Sequence, residues 1–136
     1  MTEALAIRIH EPHDEVVSRV RVGLATEGFG VLTEIDVAAT MRAKLGAEVE
    51  PYLILGACNP PLAYAALQAD RRVGVLLPCN VVVRSDPDAR TVTIVEAVDP
   101  QDMVAMTGRP GLQSIADDAT ARLARVLGEL VRGDAD

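Results

Sequence analysis

Cysteine and asparagine stand side by side twice in this chain, at Cys58-Asn59 and Cys79-Asn80, and proline adjoins both pairs: Pro60-Pro61 follows the first and Pro78 precedes the second. A cysteine just ahead of a helix feels the partial positive charge of the helix N-terminus, which favours thiolate and makes Cys58 the better nucleophile of the two. The amides of Asn59 and Asn80 offer neutral hydrogen bonds to a ligand or an oxyanion. Against an anion site, Pro60 and Pro61 remove two N–H groups that would hold one. The plain alternative is a buried corner residue, because free cysteine is commonly a small core hydrophobe and no basic residue flanks Cys58.

The 21 residues from Cys58 to Cys79 do not form the Cys-x-x-Cys of redox or zinc sites. A disulfide would need the two strands to be neighbours and Cα atoms ~4.4–6.8 Å apart. Two thiols alone suit a soft ion such as Cu(I). Tetrahedral zinc would also need His10 and His13, which read as solvated residues flanking Pro12. No metal site is therefore assigned, and no motif names a cofactor. The carboxylates give a second constellation. Glu96 shares a strand face with Val92, Ile94 and Val98, where a lone carboxylate is costly unless paired. Glu34 is a partner only if one acid of the two holds a proton, which would make an acid/base pair; the plain alternative is a face open to water. No Ser-His-Asp order, glycine-rich phosphate loop or metalloprotease motif is present.

These residues need elements to hold them. Ala4 to His10 alternates as a half-buried strand, and Pro12 opens a helix that Gly28 stops. Phe29 to Ile35 returns to period two, with Phe29, Val31 and Ile35 inward and Glu34 outward. Asp36 caps a short helix closed by Gly46. Tyr52 to Cys58 reads as a strand, and Asn59 caps a helix running through Leu67. The apolar run from Val73 to Val83 reads as one strand with a bulge or edge at Pro78. Asp86-Pro87-Asp88 turns it into a hairpin with Thr91 to Val98. Asp99-Pro100 caps a short helix ending at Gly108, and Pro110 opens a last helix, striped by Leu112, Ile115, Ala119, Leu123, Val126 and Leu130, up to Gly133. The order predicts one α+β domain over residues 1–136, a single mainly antiparallel sheet packed against helices.

Composition narrows the function classes. One Phe, two Tyr and no Trp leave few rings for stacking on bases. A net charge of −7 without a basic stripe repels phosphate backbones, so nucleic acid is excluded as a partner. The N-terminus lacks a basic segment followed by an apolar one, and no apolar run approaches the ~20 residues of a spanning helix. The expected location is the cytoplasm, with no membrane partner. The apolar Val81-Val82-Val83 strand must be covered somehow, which predicts a homodimer.

Four blocks carry a family resemblance. They are Glu27 to Val37, Ile54 to Ala63 (Ile-Leu-Gly-Ala-Cys-Asn-Pro-Pro-Leu-Ala), Leu76 to Val83 (Leu-Leu-Pro-Cys-Asn-Val-Val-Val) and Ala97 to Pro100. In content and order they resemble the bacterial and archaeal domain-of-unknown-function 302 family. The resemblance implies a TATA-binding-protein-like β-α-β4-α arrangement and a homodimer, and it implies no reaction, since the family has none assigned. Three functions fit the residues: a small-ligand-binding or thiol-switch protein with its site at the two Cys-Asn corners, an enzyme with Cys58 as nucleophile, or a structural homodimeric module. The first is favoured, because amides and thiols beside irregular backbone offer hydrogen bonds but little acid/base power, and Cys58, Asn59, Cys79 and Asn80 are expected to border one cavity.

Overall fold

The structure, a computed structural model, describes residues 5–135, of which 134 and 135 are described by backbone alone. Ala4, where the first strand was expected to begin, lies outside them. The elements run β1 (Ala6–Ile9), α1 (His13–Thr26), β2 (Gly30–Asp36), α2 (Val37–Leu45), β3 (Tyr52–Cys58), α3 (Pro60–Ala69), β4 (Cys79–Asp86), β5 (Ala89–Ala97), α4 (Gln101–Thr107) and α5 (Gln113–Ala135). The five strands form one sheet in the order β1-β5-β4-β3-β2, antiparallel at every pairing. This is the α+β class that the element order predicts.

Local chemistry explains most boundaries. The Asp36 carboxylate accepts from the Ala39 N–H at 2.9 Å, and Gly46 closes α2 in the left-handed region at φ 65. The β4–β5 turn is held by the Asp86 carboxylate, which accepts from the Asp88 N–H at 2.9 Å. Several boundaries differ from expectation; α3 runs on to Ala69, β5 starts at Ala89, and Pro110 opens a 3-10 turn ahead of α5. Val73 to Val83 is not one strand: Arg71–Leu76 forms a 3-10 helix and pairing begins only at Cys79. The buried Asp70 starts that turn by accepting from the Arg72 N–H and guanidinium, and Pro78, in a cis peptide bond with Leu77, has no donor for the ladder. The last helix runs past Gly133 to Ala135.

The main core lies between one sheet face and the pair α1 and α5. Leu55, Val81, Val83 and Val95 meet Val16, Val20 and Leu24 from α1 and Leu123, Val126 and Leu130 from α5. A second, smaller core gathers Ala66, Val73, Met103, Leu112 and Ala116. Because β4 is flanked by β3 and β5, Val81 and Val83 are covered by the chain itself, so this strand makes no demand for a second copy; the free sheet edges are β1 and β2.

A bulge in β2, between Val31 and Thr33, changes which side chains face the helices. Before it, Val31 pairs with Ala57 on the core side. After it, Glu34 pairs with the core-facing Leu55, and Ile35 pairs with Ile54 on the far side, where Ile35 is 49% exposed. The expected orientations of Glu34 and Ile35 are thus reversed, because one inserted residue shifts a period of two by half.

Candidate functional site

Cys58 ends β3 and α3 starts at Pro60, so Cys58 does sit at a strand-to-helix corner. Asn59 is the N-cap: its side-chain oxygen accepts from the Leu62 N–H at 3.3 Å, while its Nδ2 donates to the Glu27 carbonyl, also at 3.3 Å. Arg122 donates to that same carbonyl at 3.0 Å, and Arg125 pairs with the Glu27 carboxylate at 3.0 Å. Asn59 therefore clamps the corner to the C-terminal end of α1, and its amide is committed to the fold. Gly28, at φ 85, lies so near this clamp that a Cβ would stand 3.0 Å from Asn59 Nδ2.

The two cysteines are on neighbouring strands. Cys79 is the register partner of Ala57, and Cys58 is one residue further along β3, opposite Gly30 on β2. Both are free thiols. Successive strand residues point to opposite faces, so the two reach the end of the sheet from its two sides. They nonetheless border one cavity of about 250 Å³, which Asn59 also lines. Asn80 does not. It is exposed beyond the cavity, and its carbonyl accepts from the Val98 N–H at 3.0 Å. The expectation of four residues around one space is met by three.

The cavity opens where two cores meet. Phe29 and Ala57 come from the main core, and Ala66 and Met103 from the smaller one. Ala63 of α3 and Ala119 of α5 also line it, and these short side chains leave the gap open where longer ones would close it. Leu32, 68% exposed, stands at its mouth. No charged side chain lines it. The lining from α3, α4 and α5 was missed from sequence, although the alanine face Ala63 to Ala66 was a signal that α3 packs loosely.

Burial pushes the Cys79 thiol up to about 11 from an ordinary 9.0, with a smaller contribution from the neighbouring Cys58. Cys79 is thus a protonated thiol at neutral pH.

The carboxylate constellation is not assembled. Glu96 is paired with Arg84 at 2.7 Å, and Glu34 with Arg21 on α1. Strands β3 and β4 separate the two acids, which also face opposite sides of the sheet. His13 is not solvated as expected: its Nε2 donates to the Val83 carbonyl at 2.8 Å. His10 is exposed. Among the described residues no group of three or more His, Cys, Asp or Glu is placed to hold a metal ion, and no helix is long and apolar enough to cross a membrane.

The model of a domain of unknown function, DUF302, matches residues 5–130, which includes both Cys-Asn corners and every strand. The chain belongs to the DUF302 family. A solved structure described as an uncharacterised conserved DUF302 protein from Bacillus stearothermophilus is 32% identical, with a TM-score of 0.83 over 92% of this chain and 95% of that one. No protein of curated function matches. The DUF302 fold here therefore presents an apolar cavity edged by two thiols, and its chemistry has to be read from that cavity.

Proposed function

We propose that this DUF302 chain is a small-ligand-binding protein whose ligand places an apolar body in the cavity between Cys58, Cys79 and Met103. The observation that carries this reading is the cavity itself: about 250 Å³, lined mostly by apolar side chains and the two cysteines, with Thr33 and Asn59 as its other polar side chains and no charged group in its wall. An apolar cavity of about 150 Å³ is enough to take up benzene, so this one suits a ring or a short chain. The desolvated Cys79 thiol fits the same reading, being a weak neutral donor in an apolar wall.

The other readings draw less support. An enzyme built on Cys58 would need a base and an oxyanion partner, yet no histidine or acid lines the cavity, and the Asn59 amide already serves Leu62 and Glu27. A thiol switch is favoured by the shared cavity, but the one-residue offset of Cys58 from the partner of Cys79 turns the two side chains toward opposite faces.

The test is toluene titration followed through the methyl resonances of Ala63, Ala66, Met103 and Ile115 by NMR, with Ala63→Leu as the filled-cavity control. The expected result is saturable shifts of these methyls together with a raised Tm, both lost in Ala63→Leu. Unchanged lining methyls at saturating toluene would defeat the proposal.

A further inference from the structure

We infer that the bulge in β2 makes Thr33 the specificity-determining residue of the cavity, and that the ligand is a small, uncharged, mainly apolar molecule carrying one hydrogen-bonding oxygen. The inference deepens the ligand-binding reading above and rests on it. In a regular ladder the residue after Val31 would stand opposite Gly56, and that residue is Leu32. The bulge takes Leu32 out of register, to the mouth of the cavity, and brings Thr33 opposite Gly56 in its place. Gly56 permits this because it has no side chain: a Cβ there would collide with Thr33 Oγ1 and stand 2.9 Å from Pro78 Cγ. The Thr33 hydroxyl is thus seated over the Gly56 backbone beside the Pro78 ring, and Thr33 and Pro78 both line the cavity.

The other lining side chains leave this hydroxyl as the group a ligand oxygen can use. Asn59 is the only other lining residue with a side-chain oxygen, and its amide is taken by Leu62 and Glu27. The Thr33 hydroxyl has no hydrogen-bond partner among the described residues. The two thiols and the Met103 thioether are weak partners by comparison. A hydroxyl both donates and accepts, so it suits either a ligand hydroxyl or a ligand carbonyl. A carboxylate or phosphate would give up its water with no cation in the wall to replace it, so anionic ligands are rejected.

Phenol and toluene are nearly equal in size and differ at one substituent, so exchanging the Thr33 hydroxyl for a methyl group separates the hydrogen bond from the fit. Both ligands, and benzoate as the anion, are titrated into the native chain and three variants, following the Ala63 and Met103 methyls by NMR, with circular dichroism to verify folding. Thr33→Val and Thr33→Ala lack the oxygen, and Thr33→Ser keeps it. In the first two, phenol is expected to bind roughly three- to tenfold more weakly while toluene is undiminished. Thr33→Ser should retain most of the phenol affinity. Benzoate should bind the native chain at least about tenfold more weakly than phenol. An equal loss for phenol and toluene in the variants without the oxygen, or no loss for phenol, overturns the role of Thr33, and benzoate binding as tightly as phenol overturns the uncharged class. If toluene binds and phenol binding does not depend on residue 33, this inference fails and the pocket reading stands; if neither ligand binds, the pocket reading fails with it.

Discussion

Alkylation of Cys79 gives a rate that can be worked out in advance. Its pKa of about 11 lies two units above the ordinary 9.0, so at neutral pH it holds about a hundredth of the thiolate of an unburied cysteine. A more basic thiolate is also more nucleophilic, and a Brønsted coefficient of ~0.4–0.5 over two units returns a factor of about six to ten. The net expectation is modification of Cys79 roughly ten- to fifteenfold slower than a model peptide thiol, before any loss from restricted access. With limiting iodoacetamide and site-resolved mass spectrometry, Cys58 should be labelled first. The Cys79 rate should still be climbing where the model thiol levels off, with its midpoint near 11. A Cys79 midpoint at or below 9 would show that the thiol is not desolvated, and the apolar cavity would lose its main chemical signature.

Further outcomes follow from the same geometry. A thiol whose folded pKa is raised stabilises the fold below its unfolded pKa and loses that contribution as pH climbs to the folded one, so stability should fall by up to about 3 kcal/mol between pH 9 and 11, and Cys79→Ala should flatten this slope in urea melts. Asp70 is the opposite case. Hydrogen bonds from Arg72 lower its pKa from 3.8 to about 2, so its contribution is complete above the unfolded value and lost as pH falls through about 2; Asp70→Asn should remove that part of the acid transition. Leu123→Ala should cost about 2–5 kcal/mol, since Leu123 is 1% exposed in the main core, and a loss below 1 kcal/mol by chemical denaturation would contradict the packing. Gly56→Ala should destabilise by about 1–3 kcal/mol, because its Cβ would meet the Thr33 side chain and approach Pro78 Cγ to 2.9 Å; an unchanged midpoint would count against the bulged β2–β3 register.

Sequence by itself determined whatever depends on neighbours along the chain. Period-two and helical spacing placed ten elements, and Asp36, Asn59, Gly46 and Gly108 marked helix ends because a cap or a left-handed turn is a property of a few adjacent residues. The Cys58 corner was legible for the same reason. Only the tertiary structure decided how faces and strands were apportioned. Val73 and Val81 are equally apolar in the sequence, yet one is buried in a 3-10 turn and the other in a central strand, because apolarity records burial and not the element that achieves it. The bulge after Val31 leaves no local mark, and it alone sends Glu34 toward Arg21 and Ile35 to the far face. Glu96 needed a partner if its apolar strand face was covered, but that the partner is Arg84 rather than Glu34 follows from the strand order, which sets β4 beside β5 and puts two strands between β5 and β2. The cavity is decided in the same way. It is made by short side chains from Ala57, Ala63 and Ala119 meeting across three separate elements, and a gap between elements belongs to their packing and to no one stretch of the chain.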